Sequence, residues 1–315
     1  MENYLVDFKG EIAGLAGACL WAICATVYAS IGVKIPPLYL NLAKGVIAIV
    51  FIFITFAITR SQFSILSINS SVVIILAISG AIGIGIGDTA YFQALNTLGA
   101  RKTLLIETIT PTVTALLAFI FIGEKLGANL WIGIFITLIG IMWVISERNQ
   151  VDTNADINLR LQQKSIVTGI LWTLISILSE AIGAVVSRYA LSTSDISPLE
   201  SSLIRLLGAV TAIVILILFS SQKSRQKQTK KYQMDWSVKI LSIITITAFA
   251  STYLGIWLQQ TAYKFSPAGV AQTLLATSPL FILPIVALKG EKVSIRSILG
   301  AIIALFGVSI LVLTS

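Results

Sequence analysis

The sequence contains no histidine, and only 11% of its 315 residues are charged. Soluble domains carry roughly 25% charged residues, so this shortage of charge argues against a soluble protein. Without histidine, the chain lacks the side chain that most often relays protons near neutral pH. An enzyme would need a nucleophile–base pair or a metal cluster, and the sequence offers neither. We therefore predict no catalytic residue, no metal site and no cofactor.

Cysteine is almost as scarce. Cys19 and Cys24 both fall in the first apolar run, where we expect packing residues rather than a disulfide or a metal-binding pair. There is no ATP-binding motif, which argues against primary active transport by this chain alone. The glycine run at 83–88 matches part of a dinucleotide fingerprint, but no βαβ pattern surrounds it. The net charge of +8 falls mainly in loops, so it indicates membrane orientation and not nucleic-acid binding.

Long hydrophobic runs take the place of charge, since 56% of the residues are hydrophobic. A bilayer-spanning helix needs about 20 apolar residues, and continuous runs favour helices over the alternating strands of a barrel. Residues 1–11 lack a basic region, so no signal peptide is expected. The sequence predicts an all-α integral membrane protein with ten transmembrane helices, at residues 11–30, 38–59, 71–95, 103–122, 128–146, 166–190, 199–220, 239–262, 268–288 and 295–313.

Part of the chain is written twice, because the pattern of residues 87–143 recurs at 255–310. The matched residues are Gly87, Ala94, Ala100 and Pro111 with Gly255, Ala262, Ala268 and Pro279, and the Gly-Glu-Lys of 123–125 with that of 290–292. A duplicated apolar unit of about half the chain is typical of secondary transporters. We predict two five-helix halves, 1–147 and 165–315, joined by a polar linker at 148–164. An odd number of helices per half makes the repeat inverted, around a central cavity.

The repeated motifs resemble the EamA-like family of the drug/metabolite transporter superfamily. The resemblance rests on the run 87–95, on Ile106-Glu107-Thr108, Pro111 and Gly123-Glu124-Lys125, and on Ser266-Pro267-Ala268, Pro279 and Gly290-Glu291-Lys292 in the second half. It implies ten helices in two inverted halves, a central cavity, efflux or exchange of small metabolites such as amino acids, and both termini in the cytoplasm. Loop charge favours both termini outside instead, so the orientation stays open. Glu180 stands where the family's sixth helix usually has an aromatic residue, which leaves the substrate open as well.

Five ionisable residues lie inside predicted helices: Lys44, Asp88, Glu107, Glu180 and Arg205. A charge at the bilayer centre costs about 2.5–3.5 kcal/mol, so we expect these groups to face inward, paired or hydrated. Small and hydroxyl residues recur at helical spacing beside Glu107, Glu180 and Arg205 and would line the same cavity. The alternative is that they only let helices pack closely, and that Lys44 and Arg205 reach back to the interface.

Three of these five residues are carboxylates, Asp88, Glu107 and Glu180, and they outnumber the two cations by one. If Lys44 and Arg205 each neutralise one acid, the remaining carboxyl group in an apolar setting can load and release a proton. Glu180 is our first candidate for this role and Glu107 the second. A rival use of the same acids is to bind the ammonium group of an amino acid or of a cationic substrate.

Two further features are candidates for the site. Pro111 and Pro279 fall at equivalent places in two helices, where a proline frees a carbonyl and marks a binding site or hinge, or only a static kink. Tyr91 follows Asp88 by one turn and would line the cavity, although an interfacial position is the usual one for tyrosine near a helix end.

Taken together, the sequence predicts a multi-pass secondary transporter of the cell membrane, plasma or inner. It would export or exchange a small polar metabolite, coupled to protons, as a monomer or homodimer. Its partners would be the small-molecule substrate, the lipid bilayer and protons, with no nucleic acid. The alternative is a structural or regulatory membrane protein without transport, whose basic loop at 221–239 binds anionic lipid or a partner.

Overall fold

The structure is a computed structural model that describes residues 8–31, 35–59, 68–146, 159–219, 237–288 and 294–314. All regular secondary structure in these ranges is helical. The α-helices are α1 Lys9–Ile31, α2 Pro37–Thr59, α3 Ser70–Gly80, α4 Thr89–Leu98, α5 Ala100–Glu107, α6 Thr110–Ile122, α7 Ala128–Ile145, α8 Leu159–Ser192, α9 Pro198–Phe219, α10 Val238–Thr247, α11 Gly255–Phe265, α12 Ala268–Leu275, α13 Ser278–Leu288 and α14 Ile295–Thr314. Two π-helical segments, Ala81–Asp88 and Ala248–Leu254, join α3 to α4 and α10 to α11.

Among the described residues, eight helical stretches are long and apolar enough to cross a membrane. They are Pro37–Thr59, Ser70–Leu98, Lys102–Ile122, Ala128–Ile145, Ile166–Ser192, Pro198–Phe219, Val238–Phe265 and Ile295–Thr314. Ala268–Pro284 is apolar but shorter, and α1 occupies the position of the first predicted helix. The prediction of an all-α, multi-pass membrane protein is confirmed, with eight stretches that meet the length and composition of a span.

The predicted linker lies largely outside the described residues, as does most of the basic loop. Residues 159–164, which we expected to belong to the linker, are instead the first turns of α8. Leucine, arginine, glutamine and lysine are good helix formers, so the transmembrane helix continues into this polar stretch.

The two π-helical segments occupy equivalent places in the repeat. Gly87, near the end of the first segment, aligns with Gly255, which directly follows the second. A π-helical turn is wider than an α-helical one and is frequent at functional sites. Asn41 of α2 satisfies part of the altered backbone, because its Nδ2 donates to Ile84 O at 2.8 Å. The first segment ends at Asp88, and α2 therefore fixes the backbone that positions this carboxylate.

The helices that contain Pro111 and Pro279 are each interrupted. The chain leaves α5 at Glu107 and starts α6 at Thr110, and it leaves α12 at Leu275 and starts α13 at Ser278. Pro111 and Pro279 lie within the fourth and ninth predicted helices, and each falls in the first turn after the interruption. Proline suits that position, since its missing N–H would have no partner there.

Four glycines form a seam between α7 and α14. A Cβ added at Gly140 would lie 2.6 Å from Gly300 O, and one added at Gly307 would lie 2.9 Å from Gly133 O. Because Gly140 meets Gly300 and Gly133 meets Gly307, the two helices run antiparallel with their backbones nearly in contact. In the repeat, Gly133 corresponds to Gly300 and Gly140 to Gly307. The contact between Gly133 and Gly307 is therefore equivalent to the contact between Gly300 and Gly140.

The remaining contacts follow the same exchange of halves. Helix α1 packs against α11 and α13, while α8 packs against α4 and α6. In the same way, α2 packs against the second π-helical segment, and α9 packs against α3. The helices that meet in this way surround the centre of the bundle, where the two π-helical segments and the two helix interruptions come together.

Candidate functional site

A cavity of about 670 Å³ lies at the centre of the bundle. Seven of the eight residues singled out from the sequence line it: Lys44, Asp88, Tyr91, Glu107, Glu180, Arg205 and Pro279. Pro111 is buried in the first turn of α6 and is not part of the lining. The fold thus brings the predicted ionisable residues to one space, although they come from five different helical segments.

Lys44 is held by a carboxylate and two aromatic rings. Its Nζ lies 3.5 Å from Asp88 Oδ2, 4.8 Å from the centroid of the Tyr28 ring and 4.7 Å from that of Phe92. Aromatic faces attract cations, so all three groups stabilise the ammonium. The Lys44 side chain is 6% exposed, and it points into the cavity and not back to the membrane interface.

Arg205 is also buried, with 3% of its surface exposed. Its Nη1 donates to Oε1 of Gln259 on α11 at 3.2 Å. The close approach of α3 fixes its backbone, because a Cβ added at Gly80 would lie 1.9 Å from Arg205 O. The neutral amide of Gln259 contacts the guanidinium, and Arg205 keeps its charge available to the cavity.

Glu180 contacts helices α11 and α12 through a chain of hydrogen bonds. Gln272 Nε2 donates to Glu180 Oε1 at 2.7 Å, and the Tyr263 hydroxyl donates to Gln272 Oε1. The glutamine amide is oriented from both sides, with its oxygen towards the tyrosine and its nitrogen towards the carboxylate. Gln272 therefore stabilises Glu180 as a hydrogen-bond acceptor.

Glu107 ends α5, immediately before the helix interruption. Thr110, the first residue of α6, donates from Oγ1 to Glu107 Oε2 at 3.1 Å. Within the described ranges, no lysine or arginine nitrogen lies within 4.0 Å of the carboxylate oxygens of Glu107 or Glu180. Asp88 pairs with Lys44, and the other two acids of the cavity are held by neutral donors.

The small residues around these acids divide between the two roles considered from the sequence. Ser176, one turn before Glu180, lines the cavity. Gly183 and Ser187, further along α8, pack against α3 instead, where Ser79 Oγ donates to Gly183 O at 2.7 Å. Beside Arg205, Ser201 Oγ donates to Gln260 Oε1 at 2.9 Å, which is also a packing contact. One helix stripe thus serves both the cavity and the packing.

Sequence reasoning missed the glutamines and misassigned Glu124. Gln259 and Gln272 line the cavity, but neither carries a charge that would distinguish it in the sequence. Their signal was a glutamine inside an apolar run, which also needs a polar partner. The position of Glu124, directly after the glycine that ends α6, predicts that it caps the helix that follows it or pairs with Lys125. It binds Arg188 instead, at 2.8 Å, because the two halves are interleaved at this end.

Removing either member of the Lys44–Asp88 pair is expected to destabilise the protein. Lys44→Met leaves Asp88 without its cation, and Asp88→Asn leaves the ammonium with the rings alone. We expect each single variant to lose about 2 kcal/mol, less than for a fully buried pair because the Asp88 side chain is 39% exposed to the cavity. The double variant is expected to lose less than the sum. Thermal unfolding of the four purified proteins in detergent measures this, and additive losses would show that the two side chains are not coupled.

A helical, multi-pass membrane protein with cations, acids and amides gathered around one internal cavity has the construction of a membrane transporter. The family-level match agrees: the model of the EamA-like transporter family matches residues 8–146 and again residues 167–313. The chain belongs to the EamA-like transporter family. It is accordingly a membrane transporter and not an enzyme.

Individual relatives add to this assignment. The uncharacterized transporter YyaM of Bacillus subtilis (strain 168) is 24% identical over 272 residues, which are 85% of this chain and 80% of that protein. A solved crystal structure superimposes with a TM-score of 0.74 over 98% of both chains at 16% sequence identity. At that identity the likeness to the solved structure concerns the fold alone.

Proposed function

We propose that the chain is a proton-coupled secondary transporter that exports or exchanges a small polar metabolite across the cell membrane. It would do so with ten transmembrane helices, in two inverted halves at 1–147 and 165–315. In this proposal, helix α1 and the interrupted pair α12–α13 would be the ninth and tenth spans, beside the eight stretches of full length. The single chain surrounds the whole cavity, so the proposal requires no second copy, and a monomer or homodimer would serve equally.

The reciprocal packing of the halves supports the inverted repeat. In the glycine seam, the contact between Gly133 and Gly307 and the contact between Gly300 and Gly140 are repeat-equivalent to each other, which is the relation that a two-fold axis in the membrane plane produces. The π-helical segments and the helix interruptions recur at equivalent positions in both halves. Interrupted helices near the centre are where transporters of this construction hold substrates and coupling ions.

The observation that carries proton coupling is the pair of cavity acids without a cationic partner. Glu107 and Glu180 are held by Thr110 and Gln272, while Asp88 is paired with Lys44. A carboxyl group that is kept in a transmembrane helix at a cost of about 2.5–3.5 kcal/mol, and that lacks a counter-ion, is suited to exchange a proton. Glu180 is the first candidate because it also contacts α12 through Gln272 and, through Gln272, Tyr263 of α11.

The size and polarity of the cavity favour a small polar metabolite. Its volume of about 670 Å³ falls within the range of about 300–1,000 Å³ that is usual for small-molecule sites. Arg205 and Lys44 offer positive charge to a substrate carboxylate, and Glu107 and Glu180 offer negative charge to an amine. An amino acid or a related compound carries both groups.

A substrate screen in proteoliposomes tests this function. Amino acids, nucleosides and cationic drugs would each be offered under an imposed pH gradient, while a pH-sensitive dye reports proton movement. We expect one class to move together with protons, and to exchange with its own labelled form in the absence of a gradient. If no compound moved through monodisperse, folded protein, the structural or regulatory alternative would replace transport.

A further inference from the structure

The cavity has a deeply buried end and an end that reaches the surface. Among the described lining residues, Asn96 near the end of α4 is exposed. Tyr263 and Gln272, at the other end, are 0% and 4% exposed. Beyond them, Ala268 and Ala271 of α12 are completely buried. A substrate that crosses the protein must pass this buried end.

An ion pair lies beyond the buried end, next to the start of α12. Arg188 Nε lies 2.8 Å from Glu124 Oε1, with side chains 17% and 16% exposed. Glu124 Oε2 accepts a hydrogen bond from Ala268 N, at the start of α12, at 2.8 Å. Arg188 Nη1 donates to the carbonyl oxygens of Tyr263 and Lys264, at the end of α11, at 2.8 Å each. We call Glu124 and Arg188, with these backbone groups, the clamp.

The clamp places each charge at the helix terminus that favours it. A carboxylate is stabilised by the free N–H groups at a helix start, and a guanidinium by the free carbonyls at a helix end. Gly123 turns the chain back at the end of α6 with a φ of 69°, in the left-handed region where glycine is favoured. The amides of Gly123 and Glu124 both donate to Ala118 O, so the turn that presents Glu124 is well defined.

The clamp and Glu180 act on the same two helices. Glu180 and Arg188 both belong to α8. Glu180 accepts from Gln272 on α12. Arg188 reaches the same helix through Glu124, which accepts from Ala268 N one turn before Gln272. Tyr263 takes part in both contacts, since its hydroxyl donates to Gln272 and its carbonyl accepts from Arg188. Helices α8, α11 and α12 are thus joined at two levels, one inside the cavity and one at its buried end.

We propose that Glu124 and Arg188 gate the buried end of the transport pathway, and that Gln272 is the positioning residue through which Glu180 keeps this gate closed. The coupling rests on the proposed function, because it uses the exchange of a proton or a substrate cation at Glu180. A hydrogen bond to an ionised carboxylate is roughly twice as strong as a neutral one. When the Glu180 charge is neutralised, the hydrogen bond from Gln272 to Glu180, which joins α12 to α8, weakens. The clamp alone then holds the helices together.

Several charged or titratable groups share the cavity with Glu180 and set the pH at which it responds. They are Cys24, Tyr28, Lys44, Asp88, Tyr91, Glu107, Arg205 and Tyr263. Cys24 is alanine in every protein of the test below and the others remain unchanged, so a response that disappears on replacing Glu180 belongs to Glu180.

Cysteine labelling at Ala271 tests the gate. Ala271 is 0% exposed and lies on α12 between Ala268, which the clamp binds, and Gln272, which lines the cavity. In a protein with Cys19 and Cys24 replaced by alanine, we expect Ala271→Cys to react slowly with a hydrophilic maleimide. Adding Arg188→Met or Glu124→Gln is expected to speed labelling about 10-fold, the effect of losing a hydrogen bond to a charged group. Arg296→Met, which removes an exposed charge beside Trp143, is the matched control and is expected to change nothing.

A second set of variants tests the coupling. Each labelling rate is divided by that of Thr193→Cys, an exposed position, at the same pH. Acidification is then expected to speed labelling of Ala271→Cys in the parent. Gln272→Leu and Glu180→Gln are expected to label rapidly at every pH. If Arg188→Met, Glu124→Gln and the milder Arg188→Lys, all monodisperse, label as slowly as the parent, the gate is wrong. If these speed labelling and Gln272→Leu does not, the role of Gln272 is wrong. Labelling needs no transported compound, so a failed substrate screen leaves this result independent.

Discussion

Replacing Glu180 with glutamine is expected to reduce transport driven by a pH gradient by about 100-fold, the equivalent of losing an interaction worth about 2.7 kcal/mol. Glutamine has nearly the same shape and still accepts the hydrogen bond from Gln272, but it cannot take up and release a proton. Substrate exchange without a gradient is expected to persist, because that reaction needs no net proton movement. Uptake and exchange would be measured in parallel, in the same proteoliposome preparation.

Glu200→Gln is the matched control for this change. Glu200 lies outside the cavity lining, and its Oε2 accepts a hydrogen bond from Ser197 N at the start of α9, which glutamine also accepts. We expect its pH profile to match that of the parent. A Glu180→Gln protein that kept the parental pH dependence would remove Glu180 from the proton pathway and leave Glu107 as the candidate.

Gly80→Ala is expected to produce the largest loss of stability. A Cβ at this position would lie 1.9 Å from Arg205 O and 2.5 Å from Arg205 C, and backbone atoms cannot rotate away as a side chain can. Helices α3 and α9 would have to separate, at a cost of about 3 kcal/mol. The displacement also moves Arg205, so we expect transport to fall in whatever fraction of the protein remains folded.

Gly85→Ala provides the comparison, because Gly85 lies in the π-helical segment that continues α3. Its added Cβ would lie 3.4 Å from the Ala212 Cβ, which is an ordinary contact. We expect its unfolding midpoint in detergent to stay close to that of the parent, while that of Gly80→Ala falls by several degrees. Equal midpoints for the two variants would mean that α3 and α9 do not approach as closely as the structure places them.

The membrane class and the ionisable residues of the cavity were accessible from the sequence for one physical reason. The cost of exposing a charge to lipid applies to each residue separately, so Lys44 or Glu180 can be singled out without knowing its neighbours. The apolar runs are likewise local, and they placed the long helices to within a few residues. A buried charge and a hydrophobic run each carry their own signal.

The partners of those residues were not accessible, because they depend on how distant helices meet. Lys44 pairs with Asp88 at the end of the first π-helical segment, whereas Arg205 donates a hydrogen bond to the neutral amide of Gln259. The π-helical segments themselves follow from tertiary contacts such as that between Asn41 and Ile84 O. Glu124 shows the same limit, since it pairs with Arg188, which lies 64 positions away, and not with its sequence neighbour Lys125.

The interleaving of the helices has a consequence for biosynthesis. Helix α1 finds its main partners in α11 and α13, and α7 finds its own in α14, at the far end of the chain. The first helices to leave the ribosome must therefore wait in the lipid, with glycine-rich and polar faces uncovered, until the last ones are inserted. We infer that a nascent chain that ends before α14 does not reach a stable fold and is degraded by cellular quality control.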